Sequence, residues 1–249
     1  MNAIEIRNLS KRYKDKLAVD NLNLTIKHGE LLALLGVNGA GKTTIIKILS
    51  GLIQPTKGDV LINDYSILND NSKFKEIISV SPQETAIAPN LTVIENLELM
   101  AQIHGFNKVL IKQKVSELIN TFELETIANK KSKLLSGGYQ RRLSIAMALV
   151  SEPKILFLDE PTLGLDILAR QQLWQTIKAL KSKITIILTT HYLEEAEALS
   201  DRVCILKDGK IKALGTTIEL MKQAKTNNFS YAFINLTQGG NNNENTRVC

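Results

Sequence analysis

The feature that most constrains this chain is a glycine-rich loop directly after the five apolar residues 31–35. The loop matches G-x-x-x-x-G-K-[ST] and reads Gly36, Val37, Asn38, Gly39, Ala40, Gly41, Lys42, Thr43 and Thr44. Backbone N–H groups of such a loop cradle phosphate, the lysine adds positive charge, and the hydroxyl of Thr43 is a candidate Mg²⁺ ligand. The mostly apolar residues 45–49 predict a helix whose N-terminus faces the same anion. A plain glycine turn requires neither Lys followed by Thr nor the strand before it and the helix after it, so we favour a phosphate-binding loop.

Two carboxylates end a second apolar run. Residues 155–158 are continuously apolar, as expected of a strand buried on both faces, and Asp159 and Glu160 follow them. Beside a phosphate loop, Asp159 is suited to hold Mg²⁺, and Glu160 to orient or deprotonate an attacking water. Without the loop, the pair could equally be two solvated acids at a strand end. With the loop, the functional interpretation is favoured.

Two further elements are candidates for contacts with phosphate. Ser136, Gly137 and Gly138 open a predicted helix, and their exposed N–H groups form a second possible anion site. Because one chain already has a complete phosphate loop, this second site suggests a cap on a nucleotide held by another copy; alone, it could be only a helix N-cap. His191 follows the buried run 184–190, where a γ-phosphate could be contacted, although a lone histidine is more often structural.

The remaining pattern is that of an α/β protein. The runs 4–7, 17–19 and 22–26 predict an antiparallel layer before the loop, and later strands alternate with helices. Helical periodicity predicts a helical subdomain inserted at about residues 84–151. Beyond residue 225 the chain turns polar, and we predict a disordered tail over 226–249.

Composition narrows the class of protein. The 249 residues have a net charge of +6, mostly from scattered lysines, which we interpret as solvated surface charge. An anionic membrane surface could also attract this charge. No long basic block supports binding to nucleic acid. No apolar run is long enough to span a membrane, and the N-terminus lacks the apolar region of a signal peptide. The two cysteines, Cys204 and Cys249, fit a reducing compartment, so we expect the protein to stay where it is made.

The order of these motifs resembles the nucleotide-binding subunit of an ATP-binding cassette transporter. The resemblance covers residues 3 to about 220, and its Leu-Ser-Gly-Gly motif, residues 135–138, is highly specific to that superfamily. It implies a phosphate-loop nucleoside triphosphatase core over residues 1–225, with a mostly parallel sheet, an N-terminal antiparallel β-subdomain and the inserted helical subdomain. It also implies ATP and Mg²⁺ as ligands, and a second copy of the chain in a head-to-tail dimer that encloses two nucleotides.

The resemblance also assigns roles to single residues. Tyr13, which by its chemistry could equally stack on a purine or cover a sheet edge, becomes the aromatic that stacks on adenine. Gln83 becomes a contact to Mg²⁺ or water that relays nucleotide state to a membrane partner. Asp166 belongs to a segment that crosses the dimer interface, and His191 is the switch histidine. Tyr139 departs from the pattern, since many family members have Gln directly after the second Gly of the motif.

The function implied is an ATP-hydrolysing subunit that powers a separate transmembrane permease from the cytoplasmic face of the cell membrane. Residues 161–166 and 191–196 are similar to the export-type bacterial branch, which handles drugs, lipids or polysaccharides. One alternative is a soluble cassette ATPase acting on nucleic acid or ribosomes, but such relatives usually have two cassettes, a long coiled coil or zinc cysteines. Another is a non-catalytic, nucleotide-gated interaction protein, which should lack a residue such as Glu160.

Overall fold

The computed structural model describes residues 2–238, along which strands and helices alternate. The strands are β1 Asn2–Tyr13, β2 Lys16–Lys27, β3 Leu31–Leu35, β4 Lys57–Ile62, β5 Tyr65–Ser66, β6 Ile78–Ser81, β7 Ile155–Asp159, β8 Thr185–Thr190, β9 Arg202–Lys207 and β10 Lys210–Gly215. The helices are α1 Lys42–Leu49, α2 Asn71–Lys75, α3 Val93–Ile103, α4 Lys108–Thr121, α5 Gly137–Leu149, α6 Ile167–Leu180, α7 Leu193–Leu199, α8 Thr217–Gln223 and α9 Phe229–Gln238. Two short 3₁₀ turns lie at Glu125–Ile127 and Ser132–Leu134.

The N-terminal strands form an antiparallel sheet in the order β2-β1-β4-β5. Leu22, Leu24 and Ile26 are buried and alternate with exposed residues, because successive strand residues point to opposite faces. The predicted antiparallel layer is therefore confirmed. Its strands are longer than predicted: β1 and β2 have 12 residues each, since several shifts in their pairing register let them continue past irregular positions.

A second sheet has the order β10-β9-β3-β8-β7-β6. All of its pairs are parallel except the hairpin of β9 and β10, which turns at Asp208 and Gly209. Both turn residues have positive φ, 53° and 74°, as a two-residue hairpin loop requires. The predicted α/β fold with a mostly parallel sheet is confirmed.

Strand β3 lies in the middle of this sheet and packs into two different cores. Leu31, Ala33 and Leu35 face one cluster, built largely from the helices after β6. Leu32 and Leu34 face the other cluster, which includes α1 and the antiparallel sheet. All five residues are fully buried, which explains why the sequence there is continuously apolar rather than alternating.

The parallel arrangement places the carboxyl ends of β3, β6, β7 and β8 at the same edge of the sheet. The glycine loop follows β3, Gln83 lies shortly after β6, Glu160 follows β7, and His191 follows β8. Ligands of open parallel sheets bind at this edge. The fold therefore gathers the sequence motifs in one place.

Helices α3, α4 and α5 lie between β6 and β7. Helix α3 starts with a capping box, in which Thr92 accepts from the Glu95 amide and Glu95 accepts from the Thr92 amide. In residues 2–238, no helix combines the length and the apolar character needed to cross a membrane.

The C-terminal region corrects one prediction. The disordered tail expected from residue 226 is wrong for residues 229–238, which form α9. Phe229 and Ala232 are buried in the helical core, and Phe233 and Leu236 pack against it, so one apolar face holds the helix in place. The predicted tail over 239–249 lies outside the described residues.

Candidate active site

The glycine loop joins β3 to α1 with a backbone that only glycine tolerates. Gly41 has φ 105° and caps α1, and a Cβ atom there would lie 2.5 Å from the carbonyl oxygen of Ala18. A Cβ atom on Gly36 would lie 2.5 Å from the carbonyl oxygen of Leu206. Helix α1 begins directly after Gly41, and a phosphate is favoured at such a helix N-terminus.

The side chain of Lys42 lies against the backbone of this loop. Its Nζ donates to the carbonyl oxygen of Gly36 at 2.6 Å and lies 3.3 Å from Oε1 of Glu160. Both side chains are more than nine-tenths buried. A cation and a carboxylate are therefore held together where the loop meets the end of β7.

Two of the three residues predicted to hold a metal, Thr43 and Asp159, also meet here, while the third, Gln83, lines the cleft. Thr43 Oγ1 lies 3.4 Å from Oδ1 of Asp159, and the hydroxyl of Thr189 donates to the same carboxylate oxygen. These are hard oxygen ligands, and Mg²⁺ usually takes one or two such groups together with water and substrate phosphates. The described residues contain no group of three His, Cys, Asp or Glu side chains that could hold a metal unaided. The residues present therefore fit Mg²⁺ bound jointly by protein and nucleotide.

Glu160 and His191 form a direct pair across the ends of β7 and β8. Glu160 Oε2 lies 2.7 Å from Nδ1 of His191. The Glu160 backbone has φ 48°, a left-handed conformation that is uncommon outside glycine, and its amide donates to both the carbonyl and the hydroxyl of Thr189. This turn aims the carboxylate between Lys42 and His191.

A cleft of about 400 Å³ opens over these groups. Most of the predicted site residues line it: Tyr13, Asn38, Gly39, Ala40, Gly41, Lys42, Thr43, Thr44, Gln83, Glu160 and His191. Tyr13 is 44% exposed and lines the cleft. Its ring is also 5.3 Å from Lys11 Nζ.

The motif of Ser136, Gly137 and Gly138 is not part of this cleft. Ser136 is the N-cap residue of α5, but its side chain makes no capping hydrogen bond. Ser136 and Gly137 are exposed, so their polar groups face outward from the chain that carries them. Asp166, in contrast, has a local structural role, because its carboxylate accepts from the Ala169 amide and caps α6.

Three buried residues around the site were not among the sequence candidates: Thr189, Arg141 and Glu195. Thr189 bonds both Asp159 and Glu160, as described above. Arg141 donates to the backbone carbonyls of Gln83, Asp159 and Pro161, which lie after β6 and at the end of β7. Glu195 accepts from Thr162 Oγ1 at 2.8 Å and from the Trp174 indole at 3.2 Å. Thr189 could have been found as a polar residue at the end of a buried strand, whereas Arg141 and Glu195 lie among other polar residues and carry no such signal.

A family model described as ABC transporter matches residues 19–163 of this chain. The match covers more than half of the chain and includes the glycine loop, the Leu-Ser-Gly-Gly motif and both carboxylates. The chain belongs to the ABC transporter family. The family predicted from the motifs is thus confirmed, and with it the class of nucleotide-binding, ATP-hydrolysing cassettes.

Curated relatives and solved structures agree with this assignment. The chain is 40% identical over 220 residues to the Nod factor export ATP-binding protein I of Burkholderia orbicola, covering 88% of this chain and 72% of that protein. It is 39% identical over 224 residues to human phospholipid-transporting ATPase ABCA3, covering 88% of this chain but spanning only 13% of the length of that relative.

Two solved structures share the fold. An ATP-binding subunit of an ABC transporter superposes with a TM-score of 0.83 at 30% identity, covering 94% of this chain and 99% of that chain. A dimeric post-hydrolysis state of an ATP-binding cassette bound to ADP and Pi superposes with a TM-score of 0.77 at 32% identity, covering 86% of this chain and 98% of that chain. The roles of individual residues in this chain stay predictions.

Proposed function

We propose that this chain hydrolyses MgATP in the cleft at the edge of the parallel sheet and thereby powers a membrane exporter. The observation that carries the proposal is that Lys42, Thr43, Glu160 and His191 line that cleft together, with the carboxylate of Asp159 3.4 Å from the Thr43 hydroxyl. Three separate segments of the chain supply these groups, and together they cover phosphate binding, metal binding and activation of water.

In the proposed reaction, the loop amides and Lys42 bind the outer phosphates and stabilise the charge that shifts between them. Thr43 and Asp159 would hold Mg²⁺, with Gln83 as a further candidate ligand, and the ion would neutralise phosphate charge. The Glu160 carboxylate takes a proton from the attacking water, while the hydrogen bond to His191 orients that carboxylate. Tyr13 stacks on the adenine ring at the exposed end of the cleft.

A second copy of the chain would complete each site. Ser136, Gly137 and Gly138 lie outside their own chain's cleft and are partly or fully exposed, at the N-terminus of a 13-residue helix. Such a helix end favours the phosphate of a nucleotide that another chain holds. The ADP-bound and Pi-bound cassette with a similar fold is itself described as dimeric, which supports this arrangement.

The direction and partner of transport are inferred from the family and its named members. A Nod factor export protein and a phospholipid-transporting ATPase are both similar to this chain, which favours export of drugs, lipids or polysaccharides. A separate transmembrane permease would select the substrate and hold the chain at the cytoplasmic face of the cell membrane. No role in nucleic-acid binding is proposed.

Substitution of the loop lysine tests the proposed activity. Lys42→Ala should lower ATP hydrolysis by roughly 10²–10³-fold, because a group that stabilises transition-state charge is lost. Lys47→Ala is the matched control, since Lys47 is exposed on the same helix and does not line the cleft. Phosphate release should be measured for both purified variants, with folding checked by circular dichroism. Equal turnover in Lys42→Ala and wild type would refute the assignment of the active site.

A further inference from the structure

Arg141 lies behind the proposed active site and, among residues 2–238, bonds only to backbone carbonyls. Its Nε donates to Pro161 O at 2.9 Å and its Nη2 to Asp159 O at 2.8 Å. Its Nη1 donates to the carbonyl of Pro82 and lies 3.5 Å from that of Gln83. One guanidinium therefore joins the chain after β6 to the chain at the end of β7.

Burial makes the contacts of Arg141 sensitive to small shifts of the backbone carbonyls that it binds. Arg141 is only 4% exposed, and within residues 2–238 no carboxylate lies at ion-pair distance from it. The guanidinium of arginine stays protonated in proteins, so Arg141 is a buried cation. A buried cation without an ion partner is stable only while its hydrogen-bond acceptors stay in place.

The carbonyls that Arg141 binds belong to the segments that carry the cleft's reactive groups. Gln83 lines the cleft, and residues 159–161 bracket Glu160. Arg141 itself lies on α5, five residues after Ser136, which is little more than one helical turn. The same rigid helix therefore has an exposed anion site at its N-terminus and a fixed connection to the cleft of its own chain.

We propose that Arg141 is a positioning residue that transmits engagement of Ser136, Gly137 and Gly138 to Gln83 and Glu160 of the same chain. When the motif binds a nucleotide held by the second copy, any shift of α5 is passed to both segments through the guanidinium. This inference rests on the proposed function, since it presumes ATP hydrolysis in a dimer. It extends that function by assigning the connection between the two nucleotide sites to one side chain.

The neighbouring Arg142 offers a matched control. It is equally buried, at 4% exposed, and sits on the same helix. Its guanidinium points elsewhere, to the side chains of Glu123 at 3.0 Å and Gln172 at 2.7 Å. Loss of Arg142 should therefore damage packing to a similar degree without disturbing either segment of the cleft.

The test compares Arg141→Gln with Arg142→Gln in the full chain. For each variant, kcat and KM for ATP, the Hill coefficient, the Kd for MgADP and the Tm are measured. Arg141→Gln should lower kcat at least about tenfold, equivalent to about 1.4 kcal/mol of barrier, because small misplacements of reacting groups are costly. The Kd for MgADP should stay within about twofold, since no residue lining the cleft has changed, and the Hill coefficient should fall toward one.

Arg142→Gln should lower Tm about as much as Arg141→Gln does. It should leave kcat within about twofold of wild type, a change of less than about 0.5 kcal/mol in the activation barrier. If Arg141→Gln does not fold, Arg141→Lys and Arg142→Lys replace the pair, because lysine keeps the charge but cannot reach several carbonyls at once. Equal kcat in the two variants, or a raised Kd with unchanged kcat, would overturn the role of Arg141. Absence of hydrolysis in wild type, or full hydrolysis by Lys42→Ala, would instead refute the proposed function.

Discussion

Glu160→Gln tests the proposed base and the proposed dimer in a single variant. The carboxylate of Glu160 lies between Lys42 Nζ, 3.3 Å from Oε1, and His191 Nδ1, 2.7 Å from Oε2. Glutamine has almost the same size and keeps one oxygen in this position, but it cannot take a proton from water. Thr43 and Asp159 are unchanged, so the groups proposed to bind MgATP remain.

The expected effects follow from these contacts. Loss of a positioned base should slow hydrolysis by about 10²–10⁴-fold, or roughly 3–5 kcal/mol of barrier. ATP should bind at least as tightly as in wild type, because Lys42 no longer has a buried carboxylate that competes with phosphate for its charge. If the nucleotide binds fully only between two chains, a ligand at 100 times its Kd stabilises the dimer by about 2.7 kcal/mol per site. The variant should therefore persist as a dimer in MgATP.

Size-exclusion chromatography with MgATP, with MgADP and without nucleotide measures this assembly, and phosphate release measures turnover. Glu194→Gln is the control, because Glu194 is an exposed glutamate in the first turn of α7 and does not line the cleft. We expect Glu160→Gln to elute as a dimer only with MgATP, and Glu194→Gln to behave like wild type. A Glu160→Gln monomer with ATP demonstrably bound would refute the two-chain site. Full hydrolysis by this variant would remove Glu160 as the base.

Two further predictions concern docking and pH. The segment that includes α3 follows Gln83 and has no catalytic candidate, so we predict that it docks the permease. Gln102→Arg on the exposed face of α3 should then leave ATP binding intact but weaken co-purification with the permease, and loss of ATP binding by this variant would contradict the docking role. Glu95→Arg is less suitable because it also breaks the α3 capping box. Burial raises the pKa of Glu195, against hydrogen bonds from Thr162 and Trp174, so the folded state holds this proton more tightly than the unfolded chain. The free energy of unfolding of the wild type should therefore fall as pH rises from about 4.5 through the raised folded pKa, by at most about 1.4 kcal/mol per pH unit. Glu195→Gln should show no such fall. Urea unfolding of both proteins across this range measures the difference, and a difference independent of pH would contradict it.

Much of the fold was predictable because its signals are local. The continuous apolar runs of β3 and β7 arise from strands buried on both faces, and the glycine loop requires a strand before it and a helix after it. Helix α9 was missed although Phe229, Ala232, Phe233 and Leu236 have the spacing of one helical face. Polar residues before and after this stripe dominate the composition of residues 226–249, and only packing against the helical core shows that the stripe is sufficient.

The contacts of Arg141 could not be predicted, because a guanidinium that binds backbone carbonyls leaves no motif in the residues that it contacts. Pro82, Asp159 and Pro161 would supply the same carbonyl oxygens whatever their side chains. Nearness of these segments depends on the parallel pairing of β6 with β7, which brings residues about 75 positions apart in the chain to one edge. Single-residue patterns do not encode that proximity.

The two carboxylates show the same limit within two adjacent positions. The sequence indicates that Asp159 and Glu160 both serve a phosphate site, yet consecutive residues of a strand point to opposite faces. The conflict is resolved by the left-handed backbone of Glu160, with φ 48°, which ends β7 and redirects the second carboxylate. Thr189 holds this turn, since it bonds the amide of Glu160 and the carboxylate of Asp159 together. A single hydroxyl on β8 thus fixes the relative placement of the proposed metal ligand and the proposed base, and it explains how two neighbouring acids can take different roles in one cleft.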